Sequence, residues 1–357
     1  MVALTCSWAP RAIGARRRAP VVDRRSVVIT GASRGLGFAS AVRLYREGWQ
    51  VVAAMRTPER GMAQLREATG AAEDDDRLLG VQLDLMDAAS ISAAAKVIEE
   101  RIGAPDAIVH NAGISAAGMV EETDTALWQK MFTTHVIAPV ALTKALLPSM
   151  RTAGRGRVVL VSSAAGVRGQ PATGPYSASK GAMERWGESL AFEVAPFGIG
   201  VTVLVTGTYD TEIITDAGTT DDRDFTGPYA RHHQTMNRRG RYAIKFARSP
   251  EHFTDGLVKA LADHGAFRRH GVGPDALMLL TFNRLLPASG MHHMSRIVLG
   301  IPRFGSMRDG AYPLTTTQRV MVAAAKVLPQ RILTQSASLA MRFSRKQSVR
   351  KEGGSDD

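Results

Sequence analysis

Ser26-Val27-Val28-Ile29-Thr30-Gly31-Ala32-Ser33-Arg34-Gly35-Leu36-Gly37 decides the fold. An uninterrupted apolar run of this length reads as a strand buried on both faces, the kind found in parallel sheets covered by helices. The glycines that follow permit a tight turn and let a backbone approach a pyrophosphate. A helix opening at such a turn offers free N–H groups and a favourable dipole to an anion. Outward from this stretch, short apolar runs recur at Val51–Ala54, Val81–Leu83, Ala107–Val109, Val158–Val161 and Val201–Val205. Helical signals lie between them. Phe38–Arg46 ends before Gly48, Thr57-Pro58 opens a helix, Asp87 caps Ala88–Arg101, and Ser249-Pro250 starts another running to about His264. Asp124–Met150 and Ala178–Val194 read as long helices. Repeated β-α-β units predict an α/β fold, a Rossmann-like doubly wound parallel sheet with helices on both faces.

Three further blocks accompany the glycine turn. Asn111-Ala112-Gly113 closes the fourth strand, Tyr176 and Lys180 stand four apart, and Ser163 precedes Tyr176 by 13 residues. Together with Thr30-Gly31-x-x-x-Gly35-x-Gly37 they resemble the short-chain dehydrogenase/reductase family over about residues 26–272, and within it the steroid/retinol-dehydrogenase-like branch. The resemblance implies about seven strands, reversible hydride transfer between a nicotinamide cofactor and an alcohol or carbonyl, and a homo-oligomer. It places Thr30, Gly31, Ser33, Arg34, Gly35, Leu36 and Gly37 at the cofactor, with Asp84 and Leu85 near the adenine, Asn111, Ala112 and Gly113 beside it, and Thr211 at the nicotinamide amide. Lys180 is given a contact to the nicotinamide ribose as well.

The chemistry of the residues agrees. Tyr176 and Lys180 share a helix face. A tyrosine hydroxyl, ordinarily titrating near 10, becomes a usable base when an ammonium lowers its pKa. Tyr176 then exchanges a proton with the substrate oxygen, and Ser163 orients that oxygen. The end of the second strand reads Val51-Val52-Ala53-Ala54-Met55-Arg56, with no acid to hold a ribose 2′-hydroxyl. Arg56 and Arg34 together favour a 2′-phosphate, hence NADP rather than NAD.

Two positions depart from the family. His110 replaces the first Asn of an Asn-Asn-Ala-Gly motif. His135 stands where the family often has a catalytic Asn that helps hold a proton-relaying water. His135 either joins the relay as a fourth catalytic residue or only packs.

The chain has 357 residues, 45% of them apolar, and a net charge of +12. The charge sits at the ends. Residues 1–25 hold six Arg against one Asp, and residues 302–357 hold ten Lys and Arg against four acids. The near-neutral centre predicts no nucleic-acid partner. We divide the chain into a basic leader (1–25) outside the fold, an NAD(P)-binding catalytic domain (26–272), an apolar helical segment (273–301) near the substrate or an interface, and a basic helical extension (302–357). Polar residues 207–248 are expected as a loop bordering the ligand crevice. No run of about 18 uninterrupted apolar residues predicts a spanning helix. Thr315–Ser344 has amphipathic character, suited to its own domain or to a membrane surface. Cys6 is the only cysteine, so no intrachain disulfide forms, and a cytoplasmic location is expected, with membrane association as the alternative. No metal ligands are assigned.

The apolar segment points to a lipophilic alcohol or ketone as substrate. A polyketide-type ketoreductase is a neighbouring alternative. A cofactor-binding, catalytically weak structural or regulatory protein is the alternative from another class.

Overall fold

Strand β1 (Ser26–Thr30) is buried along its whole length and lies inside a seven-stranded parallel sheet. This computed structural model describes residues 24–211, 219–245 and 247–308, with positions 313, 320 and 323. The leader through residue 23 and most of the expected Thr315–Ser344 helix lie outside the described residues. The sheet order is β3 (Leu78–Gln82), β2 (Gln50–Met55), β1, β4 (Ala107–His110), β6 (Gly156–Ser163), β7 (Ile199–Thr206), β9 (Phe267–Val272). The chain walks outward from β1 in one direction and then restarts at β4 on its other side. This reversal opens a crevice at the carboxyl ends of β1 and β4, where open α/β sheets hold ligands.

Alternate residues of each strand face opposite layers. Val28, Val52, Ile108 and Val158 meet α3 (Ala88–Ile102), α5 (Ala138–Ala153) and α7 (Gly174–Val194). Val27, Ile29, Val51 and Val159 meet α1 (Gly35–Arg46), α2 (Pro58–Thr69) and α9 (Pro250–Leu261). Each fully buried Val, Leu or Ile is worth about 1.5–3 kcal/mol, so both layers hold the sheet strongly. The Asp87 cap is present, its carboxylate accepting from the N–H of Ala89 at 2.8 Å. Arg24 pairs with Asp76 at 3.1 Å, and Arg25 stacks on Trp49 at 4.2 Å from the ring centre.

Three features differ from the sequence reading. The long helix from Asp124 is three pieces: α4 (Thr125–Phe132), a π-helical turn (Thr133–Ile137), then α5. As a continuous rod, Thr125–Ala153 is long and apolar enough to cross a membrane by length and composition, yet Leu127, Met131, Leu142, Leu146 and Met150 on it are core residues. Residues 207–248 are not all loop, because β8 (Thr219–Asp221) pairs in parallel with β5 (Ser115–Ala117), and α8 (Ala230–Ile244) follows. The seventh strand, β9, escapes the apolar-run pattern. It is an edge strand whose Arg269 and His270 reach Glu184 and Asp263. A single turn, α6 (Ala164–Val167), follows β6, and α10 (Pro274–Leu285) and α11 (Ala288–Leu299) come after β9. One compact unit ends at His293 and a second begins at Met294; the sheet and the crevice belong wholly to the first. The second unit's described residues hold the end of α11 and a turn through Arg308.

Candidate active site

The glycine turn forms because only glycine fits it. Gly31 has φ +68°, and a Cβ there would meet the Ala112 backbone at 2.9 Å. A Cβ on Gly37 would fall 2.3 Å from the Gly31 carbonyl oxygen. The turn is stapled to the next block by Thr30, whose hydroxyl accepts from the N–H groups of Asn111 and Ala112, both at 3.1 Å. The Asn111 side chain donates to the Thr30 carbonyl at 3.0 Å. Arg34 sits at the N-cap of α1 in extended conformation, with no side-chain cap on the helix N–H groups. An anion fits this helix end.

Thr30, Gly31, Ser33, Arg34, Gly35, Leu36, Arg56, Asp84, Leu85, Asn111, Ala112, Gly113 and Thr211 all line one cleft of about 230 Å³. Gly37 lies beneath the turn and is buried. The cleft thus gathers the positions read from sequence as cofactor-binding. It also includes Met55, Leu83, Met86, Ile114, Lys130 and Thr134, which the sequence reading left out. Ile114 was the most accessible of these, being the next residue after the Asn-Ala-Gly block. Arg56 directly follows β2, and the lining of the cleft fits a nicotinamide dinucleotide.

At the Gly113 end of the cleft stand Tyr176, Lys180, Ser163 and His135. A Cβ on Gly113 would lie 3.3 Å from Nε2 of His135 and 3.7 Å from Nζ of Lys180. Ser163 ends β6, where its hydroxyl accepts from the Ala165 N–H at 3.2 Å, and it lies beside Tyr176, which α7 carries one turn before Lys180. The ring of Tyr176 packs against a small apolar cluster of Ala116, Leu127 and Met131. Lys180 is 3% exposed and donates to the Val161 carbonyl at 2.8 Å. Burial lowers its pKa to about 8, with Glu184 opposing, so it remains mainly protonated at neutral pH. The expected lowering of Tyr176 is not what this geometry gives. Burial pushes the phenol up, the Ser163 hydrogen bond only partly offsets it, and Lys180 stands 5.9 Å from the ring centre with its head turned to Val161.

His135 is fully buried within the π turn. Its Nε2 accepts from the N–H of Ile114 at 3.1 Å. Its Nδ1 pairs with Ser179 Oγ at 2.8 Å, and that hydroxyl donates to the Tyr176 carbonyl at 2.9 Å. This pattern fixes the neutral Nδ1–H tautomer. Burial first, and then the charge of Lys180, hold the imidazole well below its ordinary pKa. Both ring nitrogens are engaged by protein groups, which favours a packing and positioning part over a water-holding one. His110 is likewise neutral, its pKa lowered to about 3 by burial, and it hydrogen-bonds Thr143 at 2.7 Å.

The sequence reading overlooked a buried acid beneath this cluster. Glu184 lies one turn beyond Lys180 on α7, with its side chain 2% exposed. It accepts from Ser162 at 2.7 Å and pairs with Arg269 of β9. The shared spacing of Tyr176, Lys180 and Glu184 was the available signal.

Such a sheet, with a glycine-rich crevice and a Ser-Tyr-Lys cluster at its mouth, defines a short-chain oxidoreductase that uses a nicotinamide dinucleotide. Residues 25–222 match the short chain dehydrogenase family, and the chain belongs to it. An uncharacterized oxidoreductase of Bacillus subtilis, YusZ, is 36% identical over 193 residues, 54% of this chain and 68% of that protein. A 3-ketodihydrosphingosine reductase of Bacteroides thetaiotaomicron is 30% identical over 289 residues, covering 77% of this chain and 98% of that one. Among solved structures, a short-chain dehydrogenase from Streptomyces avermitilis has 29% identity and a TM-score of 0.66, over 79% of this chain and all of that one. Members of the family act on small-molecule alcohols or carbonyls.

Proposed function

We propose that the chain is an NADP(H)-dependent oxidoreductase that reduces a lipophilic ketone to its alcohol through Ser163, Tyr176 and Lys180. The observation that carries this reading is the convergence of Tyr176 and the buried Lys180, 5.9 Å from its ring centre, with Ser163 beside them, at the Gly113 end of the cleft that begins at the glycine turn. The turn and Asn111–Gly113 would hold the dinucleotide, with Arg34 and Arg56 on its 2′-phosphate. Bound there, the nicotinamide supplies the hydride. Ser163 donates a hydrogen bond to the carbonyl oxygen and orients it. Tyr176, kept protonated by burial, delivers its proton to that oxygen, which suits the reductive direction. Lys180 holds a positive charge near the phenol as it loses the proton. His135 keeps the Ile114 strand start and the Tyr176 turn in register rather than shuttling protons.

A lipophilic substrate is supported by the apolar wall around Tyr176, and by the name of the sphingoid reductase relative. We also take residues 26–272 as the catalytic domain, flanked by the leader, the apolar segment and the basic extension. A homo-oligomer through the long helices is proposed as well, supported by exposed Ile137 and Val140 on the Thr125–Ala153 rod and Phe192 on α7.

Titration calorimetry with NADP and NAD tests the cofactor. NADP should bind roughly tenfold to a hundredfold tighter, the worth of one or two charge-assisted contacts. Arg56→Asp should narrow or invert that ratio. Equal affinities in the wild type would remove the assignment.

A further inference from the structure

We propose that the outer face of α10 is a docking surface for an anionic phospholipid bilayer. The helix is apolar on both sides. Its inner side places Ala276 and Leu280 in the core layer of the sheet. Its outer side presents Leu277, Met278, Thr281, Arg284 and Leu285, spaced as one helical stripe. Leu277, Met278 and Leu285 are 55%, 58% and 72% exposed. A helix apolar all round is normally covered, and this stripe is not covered by the unit it belongs to.

Charge selects the cover. From Ala276 to Arg308 the chain contains four arginines and no acid. The extension beyond residue 301 holds ten Lys and Arg against four acids, so its charge balance offers Arg284 no net negative charge. A second copy docked by the same face would bring no acid to Arg284, because a twofold contact repeats the same acid-free stripe. An anionic headgroup layer over hydrocarbon supplies what the stripe lacks, negative charge for Arg284 and an apolar phase for the leucines.

The helix is also fixed at the substrate side. Asp275 accepts from the Thr208 N–H at 2.7 Å, and Gly207 is bonded to Val272 at 3.0 Å. A Cβ on Gly207 would fall 1.7 Å from the Asp275 carboxylate, so the start of α10 is clamped to the end of β7. Thr206 at that end is the register partner of Ser163. Docking through α10 therefore brings this end of the sheet to the bilayer. The inference deepens the lipophilic-substrate reading, but vesicle binding is read without turnover, so either can fail alone.

The test is co-sedimentation of the full chain with vesicles of phosphatidylcholine alone, or with about a quarter phosphatidylglycerol. Sedimentation should require the anionic lipid and decline with salt. The triple change Leu277→Ser, Met278→Ser, Leu285→Ser should weaken it at least ~tenfold, as should be expected from three lost apolar insertions. Arg284→Glu should weaken it several-fold and guards against misfolding of the triple variant. NADPH binding by fluorescence should be unchanged in both. A full chain that never sediments overturns the proposal. So does retention of wild-type binding by both α10 variants, especially if Arg342→Gln, Arg345→Gln, Lys346→Gln in the full chain abolishes it. A dimer lost on Arg284→Glu without any vesicle binding would assign the face to a second copy instead.

Discussion

Replacing Arg269 by Met should destabilise the fold because it strands a buried carboxylate. Glu184 is 2% exposed in its side chain, and Arg269, 26% exposed, is its charged partner across α7 and β9. Breaking a fully buried ion pair costs about 3–5 kcal/mol. Water reaches Arg269, so we set the loss at about 2–4 kcal/mol, a fall in Tm of roughly 5–12 °C for a domain of this size. Ser162 remains as a donor to the carboxylate, and the exposed Arg185 stays 4.0 Å from it as a weak, solvent-screened partner. Adding Glu184→Gln removes the stranded charge while keeping an acceptor for Ser162, and should restore most of the loss, leaving about 1 kcal/mol. The pH dependence has a definite sign. Burial raises the Glu184 pKa above its ordinary 4.5, against Ser162 and Arg269, and losing Arg269 raises it further. An acid with a raised folded pKa contributes stability that is present below its unfolded pKa and is lost as pH rises through the folded value. The Arg269→Met deficit should therefore be small in acid and grow toward neutrality. Thermal unfolding by circular dichroism at several pH values measures this. An equal Tm drop in the Glu184→Gln background, unchanged by pH, would refute the reasoning.

Gly37→Ala should weaken cofactor binding at least ~tenfold and cost about 1–3 kcal/mol, since its methyl would meet the Gly31 carbonyl at 2.3 Å and Asn111 Nδ2 at 2.5 Å; calorimetry and thermal unfolding check both. His135→Ala leaves the Ile114 N–H without its partner and should cost about 2–4 kcal/mol with a lowered kcat, whereas His135→Asn, too short to reach Ile114, can still donate to Ser179 from the Nδ1 position and should lose less. Because the imidazole is held neutral, the wild-type rate profile should show no histidine step near its ordinary pKa of 6.5, and such a step that vanishes in His135→Asn would restore the proton-shuttling role.

Much of the fold was legible because the interior strands obey a simple rule. Val27–Ile29 or Val201–Val205 are buried on both faces, so apolar runs mark them. The rule fails at β9, where one edge is unpaired and Arg269 and His270 make polar contacts instead. It also mis-sets β3, which begins at Leu78 and includes the polar-facing Gly80 and Gln82. The π turn at Thr133–Ile137 hid within a helical pattern because one extra residue per turn barely changes which side chains face inward over five positions. The positions grouped along the cleft were readable from the glycine turn and the Asn-Ala-Gly block, whose chemistry is local to a few residues. Glu184 was not, because an acid four residues from a lysine ordinarily marks a solvated helix face; only packing against β9 makes it a buried counter-charge. The electrostatics of Tyr176 were also illegible, since burial and the turn of Lys180 toward Val161 depend on tertiary placement.

The most direct test of the central claim is NADPH oxidation across a panel of steroid, retinoid, aliphatic and polyketide-like ketones, run with the wild type and with Tyr176→Phe. The wild type should turn over at least one apolar ketone. Tyr176→Phe should lose at least ~a hundredfold, the usual worth of a positioned acid, with NADPH affinity preserved. A Tyr176→Phe enzyme that reduces the same ketone at the wild-type rate would contradict the claim.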